Sequence, residues 1–389
     1  MAPRNIYLDN SATTPPTASV IAAMEAAMTT SFGNPSSAHS RGEAARRTVE
    51  QSRAAVARLL GVADEALLFT SGATEANNIA VLSCSSVAGR RTRIITTGVE
   101  HSSVLKICEW LEASGAEIVR LQVDSNGIVG LDELREALRS RADLLSVQWV
   151  NNETGVIQPV EQIANLAREF GVPLLVDAAQ AIGKLRLNAA ALPIDYLSVT
   201  AHKIHGPQGV GALYARPGRA IRRLLYGGPQ EYGKRAGTEN VPGIAGFARA
   251  AENRMLSYEK VVSHVGELRD RFEERICISL PDVSVNGGRA PRVPGSTNLR
   301  FPGVDGQALV ARLDQQGIYC SQSSACTNRR PEPSYVLRAM GLSEEEAYSS
   351  VRFTFSELNT LEETQVAAEA VIDTVKSLRR FEGAAVFAA

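Results

Sequence analysis

The sequence lacks three features, each of which would by itself assign it to a broad class of proteins. It has no basic excess, since 41 Lys and Arg residues stand against 42 Asp and Glu residues, for a formal net charge of -1. This balance gives no indication that a nucleic acid or an anionic membrane surface is a direct partner. No run approaches the roughly 18 apolar residues that a membrane-spanning helix needs. The first residues, MAPRNIYLDN, contain no apolar core typical of a signal peptide, so we expect a cytoplasmic protein.

Cysteine is scarce, and its spacing gives no sign of pairing. The sequence has five cysteines, an odd number, and no two of them form a C-x-x-C pair. In a protein expected in the cytoplasm, this argues against a disulfide framework and against a zinc site, so no metal is predicted. Most of the cysteines should be buried, reduced and unreactive. They are Cys84, Cys108, Cys277, Cys320 and Cys326, of which only the last has unusual surroundings.

The length of the chain indicates two domains, because 389 residues exceed what one hydrophobic core usually serves. From about residue 40 to 215, short apolar segments alternate with amphipathic segments, a pattern typical of a mostly parallel sheet covered by helices on both faces. After about residue 217 the pattern loosens. We therefore predict an α/β fold with a large domain over 15–259 and a smaller α+β domain formed by 1–14 with 260–389. The strands predicted for the large domain cover 67–70, 93–97, 116–121, 144–150, 173–176, 196–199 and 210–214.

Polar residues follow several of these strands, at the edge where ligands of parallel sheets bind. Lys203 comes shortly after one strand and directly after Thr200 and His202, two residues that can bind a phosphate. A lysine in this place suits a covalent bond to an aldehyde cofactor, provided that a dry site keeps its amine neutral. An ordinary solvated lysine is the alternative interpretation of the same residues.

Asp177 and Gln180 follow the preceding strand of the predicted sheet. An aspartate there can pair with a pyridinium nitrogen, which keeps the ring protonated and able to accept electrons. Gln180 could reach a hydroxyl group on the same ring. A helix-capping aspartate and a surface glutamine are the simpler alternatives.

Two further positions point to a phosphate and to a flat ring. Ala73 and Thr74 open a helix directly after a strand, and the backbone N–H groups at such a helix start can hold a phosphate. Helix caps without a ligand have the same appearance. His101 also begins a helix, where its ring could stack on a cofactor or simply cap the helix.

Asn152 and Arg352 are candidate anchors for a substrate carboxylate, because arginine binds carboxylates through two parallel hydrogen bonds. Structural hydrogen bonds or a salt bridge would explain the same residues. Cys326 lies in a polar run of small residues that is too hydrophilic to bury, within a loop predicted over about 320–333. Arg329 and Arg330 follow it closely and favour its thiolate. A tolerated loop cysteine is the alternative.

Seven short motifs occur together and in a fixed order. With them the chain resembles the cysteine desulfurases of the NifS/IscS group, which belong to the class V aminotransferases and to the fold type I pyridoxal-phosphate enzymes. The resemblance runs from about residue 6 to 375. The motifs are YLDNSATT at 7–14, FGNPSS at 32–37, TSGATE at 70–75, VNNETG at 150–155, HKIHGP at 202–207, RAGTEN at 235–240 and SACT at 324–327.

The resemblance implies a role for each matching residue around pyridoxal 5'-phosphate. Lys203 would bind the cofactor covalently, Asp177 would pair with its ring nitrogen, and His101 would stack on the ring. Gln180 would contact the ring hydroxyl, and Thr238 would reach the phosphate from the second subunit of a homodimer. The remaining phosphate contacts would come from Ala73, Thr74, Thr200 and His202.

The resemblance also implies a reaction. Asn34, Asn152 and Arg352 would orient the carboxylate of L-cysteine, and Cys326 would attack the substrate sulfur, leaving alanine and a Cys326 persulfide. The sulfur would then pass to a protein acceptor, such as an iron–sulfur scaffold or a sulfur carrier. Three alternatives stay open: an aminotransferase or lyase on the same fold, a desulfurase dedicated to nucleic-acid sulfur modification, and a non-enzymatic assembly partner.

We predict that the persulfide forms on Cys326 and not on Cys320, which follows a short apolar segment and should be partly buried. A buried thiol has a raised pKa and reacts poorly. Cys326→Ala should therefore release little alanine from cysteine, whereas the matched variant Cys320→Ala should turn over nearly normally. Mass spectrometry of cysteine-treated enzyme, alkylated without reductant, locates the extra sulfur. Sulfur on Cys320 with Cys326 unmodified would overturn the assignment.

Overall fold

The computed structural model describes residues 5–85, 91–322 and 332–386, with side chains described to residue 380. Within these ranges the strands are β1 Ile6–Tyr7, β2 Leu67–Thr70, β3 Arg93–Thr97, β4 Glu117–Leu121, β5 Leu144–Gln148, β6 Leu174–Asp177, β7 Tyr196–Thr200, β8 Gly211–Ala215, β9 Ser284–Val285, β10 Ser296–Arg300, β11 Ile318–Tyr319 and β12 Ser350–Thr354. The α-helices in the same ranges are α1 Ala18–Thr30, α2 Ser40–Leu60, α3 Ala73–Cys84, α4 Ser102–Ala113, α5 Leu131–Arg139, α6 Val160–Glu169, α7 Val241–Ser279, α8 Gly306–Asp314, α9 Tyr335–Ala339, α10 Glu344–Tyr348 and α11 Leu361–Val386.

A seven-stranded sheet in the order β2-β8-β7-β6-β5-β3-β4 forms the centre of the larger part. Its strands are parallel except β8, which runs antiparallel to both β2 and β7. Every residue of β5, β6, β7 and β8 is buried, as expected for strands covered on both faces. The α/β fold with a mostly parallel central sheet, predicted from the alternating apolar segments, is therefore confirmed.

Successive residues of each strand enter different cores on the two faces of the sheet. Phe69 and Leu145 pack into a cluster with helices α2 and α7 on one face, while Leu68 and Leu144 pack into a cluster with α3 and α4 on the other. This alternation follows from the two-residue period of side chains along a strand. The polar residues at the ends of these strands are held on a rigid, fully packed support.

A second core lies under a three-stranded antiparallel sheet in the order β12-β10-β9. The N-terminal residues join it, because β1 pairs in parallel with β11 and Leu8 is fully buried there. Phe272 of α7 packs against Phe353 and Phe355, with ring centroids 4.9 and 5.3 Å away. The 39-residue helix α7 thus serves both cores, with Phe247 in the first and Phe272 in the second. The domain bounds at 14/15 and 259/260 stay a prediction, and the second falls inside this helix.

One buried ion pair fixes the loop that precedes α7. Arg53 of α2 donates to both carboxylate oxygens of Glu231 at 2.8 and 2.9 Å, and both side chains are buried. Glu231 also accepts the backbone N–H of Phe69 at 2.8 Å. Glu231 and Tyr232 adopt left-handed backbone conformations, with φ of 48° and 57°. Because such conformations are unfavourable for these residue types, the ion pair must hold the loop in place.

We expect Glu231→Ala to lower the free energy of unfolding by about 3–5 kcal/mol, because it removes the buried partner of Arg53 and leaves only the longer contact with the exposed Glu50 at 3.4 Å. Urea denaturation followed by circular dichroism measures this change. The control is Glu43→Ala, which removes the exposed ion pair Glu43–Arg47 on α2 and should cost at most about 0.5 kcal/mol. Equal effects of the two substitutions would contradict the importance of the buried pair.

Candidate active site

A cavity of about 560 Å³ lies at the carboxyl ends of β5, β6 and β7. It brings together most of the residues singled out from the sequence, although they lie far apart in the chain. Those lining it are Ala73, Thr74, His101, Asn152, Asp177, Gln180, Thr200, His202, Lys203 and Arg352. Asn34 and Thr238 are exposed and do not line this cavity, and Cys326 lies outside the described residues.

Lys203 stands at the end of a short 3-10 turn, Ala201–Lys203, that follows β7 directly. Its Nζ donates to the backbone carbonyl oxygens of Ser11 at 2.5 Å and Ala12 at 2.7 Å. The N-terminal segment therefore lies across the ends of the strands and holds the amine at the cavity. Sequence reasoning missed the role of residues 11–13, although they belong to one of the motifs behind the family resemblance.

Asp177 is the last residue of β6 and is 5% exposed. Its Oδ1 accepts the backbone N–H of Ala179 at 2.9 Å, and its Oδ2 accepts the side-chain N–H of Asn77 at 2.8 Å. These two donors hold the carboxylate in one orientation at the cavity. Asn77, on the buried face of α3, was not predicted, because an asparagine within a helical sequence carries no local signal of this contact.

Asn77 also connects Asp177 to His101. Its Nδ2 contacts the hydroxyl of Ser103 at 2.9 Å, and this hydroxyl lies 2.9 Å from Nδ1 of His101. His101 caps α4, and its Nδ1 accepts the backbone N–H of Ser103 at 3.1 Å. Burial is the main cause that lowers the pKa of His101; Lys203 lowers it further and Asp177 opposes this. The neutral ring therefore carries its proton on Nε2, since Nδ1 must accept.

The start of α3 and the end of β7 form a setting suited to an anion. The backbone of β8 approaches closely here, since a Cβ on Gly211 would lie 2.7 Å from the Cα of Gly72. Backbone N–H groups at the start of a helix attract a phosphate. Across the cavity, Nδ1 of His202 lies 3.2 Å from the hydroxyl of Thr13. Burial, helped by the charges of Lys203 and Lys184, lowers the pKa of His202 to about 4.

Arg352 is 2% exposed, lies on β12 and lines the cavity. Its Nη2 pairs with Asp9 at 2.6 Å, and its Nη1 donates to the backbone oxygen of Asn152 at 2.8 Å. Among the described residues, neither its Nε nor Oδ1 of Asn152 has a hydrogen-bond partner. Because buried polar atoms are rarely unpaired, these two atoms suggest a place for a polar ligand. The contact with Asp9 was not predicted and leaves only part of the guanidinium for a carboxylate.

The set of groups around the cavity fits pyridoxal phosphate. An amine, a fixed carboxylate, a neutral imidazole and a helix start face one space that is large enough for a small aromatic ring and its phosphate. The partnerless atoms of Asn152 and Arg352 leave capacity for a second polar molecule beside it. No group of three His, Cys, Asp or Glu suited to a metal ion occurs among the described residues.

The cysteines of the described residues form no disulfide with one another. Cys320 follows β11 and is partly buried. Burial, together with the charge of Asp9, raises the pKa of its thiol. At neutral pH the thiol of Cys320 is therefore protonated and a poor nucleophile.

Comparison with known proteins gives a consistent result. The family model "Aminotransferase class-V" matches residues 6–366. A cysteine desulfurase from Nostoc sp. is 41% identical over 374 residues, covering 96% of this chain and 94% of the relative. Among solved structures, a NifS-like protein is similar with a TM-score of 0.89 and 34% identity, covering 96% of this chain and 99% of that one. SspA in complex with cysteine has a TM-score of 0.80 and 32% identity, covering 92% and 100%.

A buried carboxyl group next to His101 makes the stability of the protein depend on pH. Glu100 is fully buried, and burial raises its pKa to about 8, although the hydroxyl of Thr97 donates to it at 2.7 Å. In the unfolded chain this group ionises near pH 4.5. Between these two values Glu100 holds more of its proton in the native state than in the unfolded state, so its contribution to stability falls as the pH rises.

We expect Glu100→Gln to remove this loss, which amounts to at most about 1.4 kcal/mol per pH unit between pH 4.5 and 8. Urea denaturation of both proteins at several pH values measures the difference in slope. Glu109→Gln changes an exposed carboxylate on α4 and should leave the slope unchanged. Parallel curves for wild type and Glu100→Gln would show that Glu100 is ionised in the folded protein.

Proposed function

The chain belongs to the class-V aminotransferase family and, within it, to the cysteine desulfurases, and on this premise we propose how its own residues remove sulfur from cysteine. It is a pyridoxal-phosphate-dependent enzyme. The observation that carries the assignment of roles is the meeting of Lys203, Asp177 and His101 at one cavity. When bound, pyridoxal phosphate supplies an electron sink that stabilises negative charge on the α-carbon of the substrate.

We propose that the residues divide the work of holding the cofactor by their chemistry. Lys203 binds its aldehyde carbon, Asp177 pairs with its ring nitrogen, His101 stacks on the ring, and Gln180 contacts the ring hydroxyl. The contacts of Asp177 with Asn77 and Ala179 support this role, because they fix the carboxylate before any ligand binds. The phosphate is held by the first turn of α3 with Ala73 and Thr74, and by Thr200 and His202.

Proton movements follow from the positions of two nitrogen atoms. With the cofactor and substrate bound, Nζ of Lys203 would be the base that takes the proton from the α-carbon. The carbonyls of Ser11 and Ala12 hold this amine at the cavity. His101, with its proton on Nε2, can deliver a proton into the cavity and recover it. The lowered pKa of His101 supports this role, because the ring is neutral at physiological pH.

Substrate cysteine is proposed to bind with its carboxylate near Arg352, where the Nε of the guanidinium has no partner among the described residues. The amide of Asn152 lies beside it. Asp9 keeps the guanidinium in place, so it should position Arg352 without touching the substrate. Asn34 is exposed at the start of the segment before α2, and its contact with the carboxylate stays a proposal.

The reaction breaks the bond between the β-carbon and sulfur of cysteine and forms a sulfur–sulfur bond on Cys326. The carbon fragment keeps the electron pair of the broken bond and, after taking up protons, leaves as alanine. The persulfide sulfur then passes to a protein acceptor, which we propose is an iron–sulfur scaffold or a sulfur carrier in the cytoplasm.

No helix among the described residues is long and apolar enough to cross a membrane.

We further propose that the enzyme is a homodimer in which Thr238 completes the phosphate site of the other subunit. Thr238 is exposed, but two contacts hold its loop in place. Arg235 pairs with Glu75 at 3.0 Å, and the backbone N–H of Gly237 donates to Oε1 of Gln230 at 3.0 Å. An exposed threonine on a fixed loop is well placed to contact a ligand of a neighbouring molecule. The exposed apolar side chains Phe32 and Tyr226 support an interface, since such groups favour burial between subunits.

Two inactive variants test these roles together. Lys203→Ala should lose the cofactor adduct that borohydride fixes, and Thr238→Ala should bind the cofactor weakly. When the two are mixed, one site of each mixed dimer is free of both changes, so activity should rise above that of either parent. Alanine and sulfide, released from cysteine in the presence of a reductant, are measured together.

The result is read after subunit exchange has been verified by native mass spectrometry of differently tagged chains. No gain of activity in verified mixed dimers would contradict a shared site. A borohydride-fixed adduct on a lysine other than Lys203 would contradict the assignment of the cofactor-binding residue.

A further inference from the structure

The turn after β6 places a second lysine close to the cavity. Lys184 lies four residues after Gln180, in a turn closed by a hydrogen bond from Lys184 N–H to the carbonyl of Ala181 at 3.0 Å. Gly183 has a φ of 67°, and a Cβ there would lie 2.7 Å from Cγ2 of Ile204. Only glycine fits this position, so the backbone that carries Lys184 is fixed.

The amide of Gln180 is oriented by its two partners. Nζ of Lys184 donates to its Oε1 at 2.6 Å, and its Nε2 donates to the carbonyl of Ser11 at 2.8 Å. An ammonium group can only donate and a carbonyl can only accept, so these partners settle which end of the amide is oxygen. Nε2 of Gln180 therefore keeps a second N–H hydrogen that it can offer to the cavity.

Lys184 has no carboxylate within ion-pair distance among the described residues. The nearest acidic side chain in the small cavity that it lines is Glu357, which pairs with Arg254 at 2.6 Å. The other charged and titratable groups around Lys184 are cations, imidazoles and one phenol. They are Lys203, Arg254, Arg352, His202, His205 and Tyr258, whose hydroxyl lies 3.5 Å from the backbone oxygen of Lys184. Burial and the three cations lower the pKa of Lys184 to about 7. A partly buried amine that lies among cations without an acidic partner costs stability, which calls for a role in the site.

We propose that Lys184 is a positioning residue for the cofactor: it holds Oε1 of Gln180, so that Nε2 donates a hydrogen bond to the ring hydroxyl oxygen. This inference rests on the proposed function, in which Gln180 faces that oxygen. A donated hydrogen bond stabilises the anionic form of the oxygen. In the cofactor-loaded enzyme, this hydrogen bond would lower the pH at which the group formed by the ring oxygen and the Lys203 nitrogen loses its proton.

The test is a pH titration of the absorbance of the bound cofactor, recorded without substrate. Lys184→Met cannot donate to Gln180, so the absorbance midpoint should rise by about one pH unit, the equivalent of one hydrogen bond. Lys184→Arg keeps a cationic donor and should stay near the wild-type midpoint. An unchanged midpoint in Lys184→Met overturns the proposal. Lys184→Leu, which also lacks a donor, serves instead if the methionine variant does not fold.

A second pair of variants shows whether Lys184 acts through Gln180. In a Gln180→Leu background, Lys184→Met should cause no further shift, because the amide that it positions is gone. A full additional shift would mean that the lysine charge acts directly on the cofactor, contrary to the proposal. The control Lys106→Met removes an exposed lysine on α4 and should not move the midpoint.

The proposed function is checked in the same samples. Borohydride reduction and mass spectrometry of each variant should find the cofactor mass on the peptide that contains Lys203. If the wild type carries it elsewhere, the proposed function fails. If the adduct is on Lys203 and the midpoints are equal, only the role of Lys184 fails.

Discussion

The backbone carbonyls of Ser11 and Ala12 are the contact on which the rest of the site depends. They accept hydrogen bonds from the amine of Lys203, and Ser11 also accepts from the amide of Gln180. The adjacent Thr14 extends this contact, because its hydroxyl donates to the carbonyl of His202 and its N–H does the same. A segment near the N-terminus is therefore a structural wall of the cavity. It is itself tied to the second core through Asn10, which donates to the carbonyl of Thr354 at 2.7 Å.

The buried part of the site combines neutral imidazole rings with charged side chains. His101 and His202 have lowered pKa values, mainly because they are buried, and both are neutral at physiological pH. Asp177 and Lys203 line the same cavity as these rings. Since neutral imidazoles can donate at one nitrogen and accept at the other, the cavity can hold an anionic ligand without the cost of burying further cations.

The sequence predicted those features that depend on local patterns. Continuous apolar segments located the strands of the central sheet, and the rule that ligands bind at their carboxyl ends placed Asp177 and Lys203 at one site. The starts of α3 and α4 were also predicted, since His101 and the residues after Gly72 have the character of helix caps. The short elements β9, β11, α9 and α10 have too few residues for a period to emerge.

Long-range contacts could not be predicted in this way. Asn77 meets Asp177 across 100 positions of the chain, and Arg352 meets Asp9 across 343. In the sequence, an asparagine inside a helix and an aspartate near the N-terminus carry no sign of their partners. The environment of Lys184 was missed for the same reason, because the cations around it come from distant segments. Asn34 and Thr238 are exposed and do not line the cavity of the chain that carries them, so their roles stay a prediction.

Helix α7 has a consequence for how the chain can be divided. At 39 residues it is about 58 Å long, and its two halves are buried in different cores. A fragment that ends with α7 would expose the apolar face of this helix around Leu268, Phe272 and Ile276. The remaining piece of the chain would lack the helix on which its own sheet packs. Neither core is thus a module that can be exchanged or inserted alone. Any displacement of one core against the other must bend or pivot this shared helix.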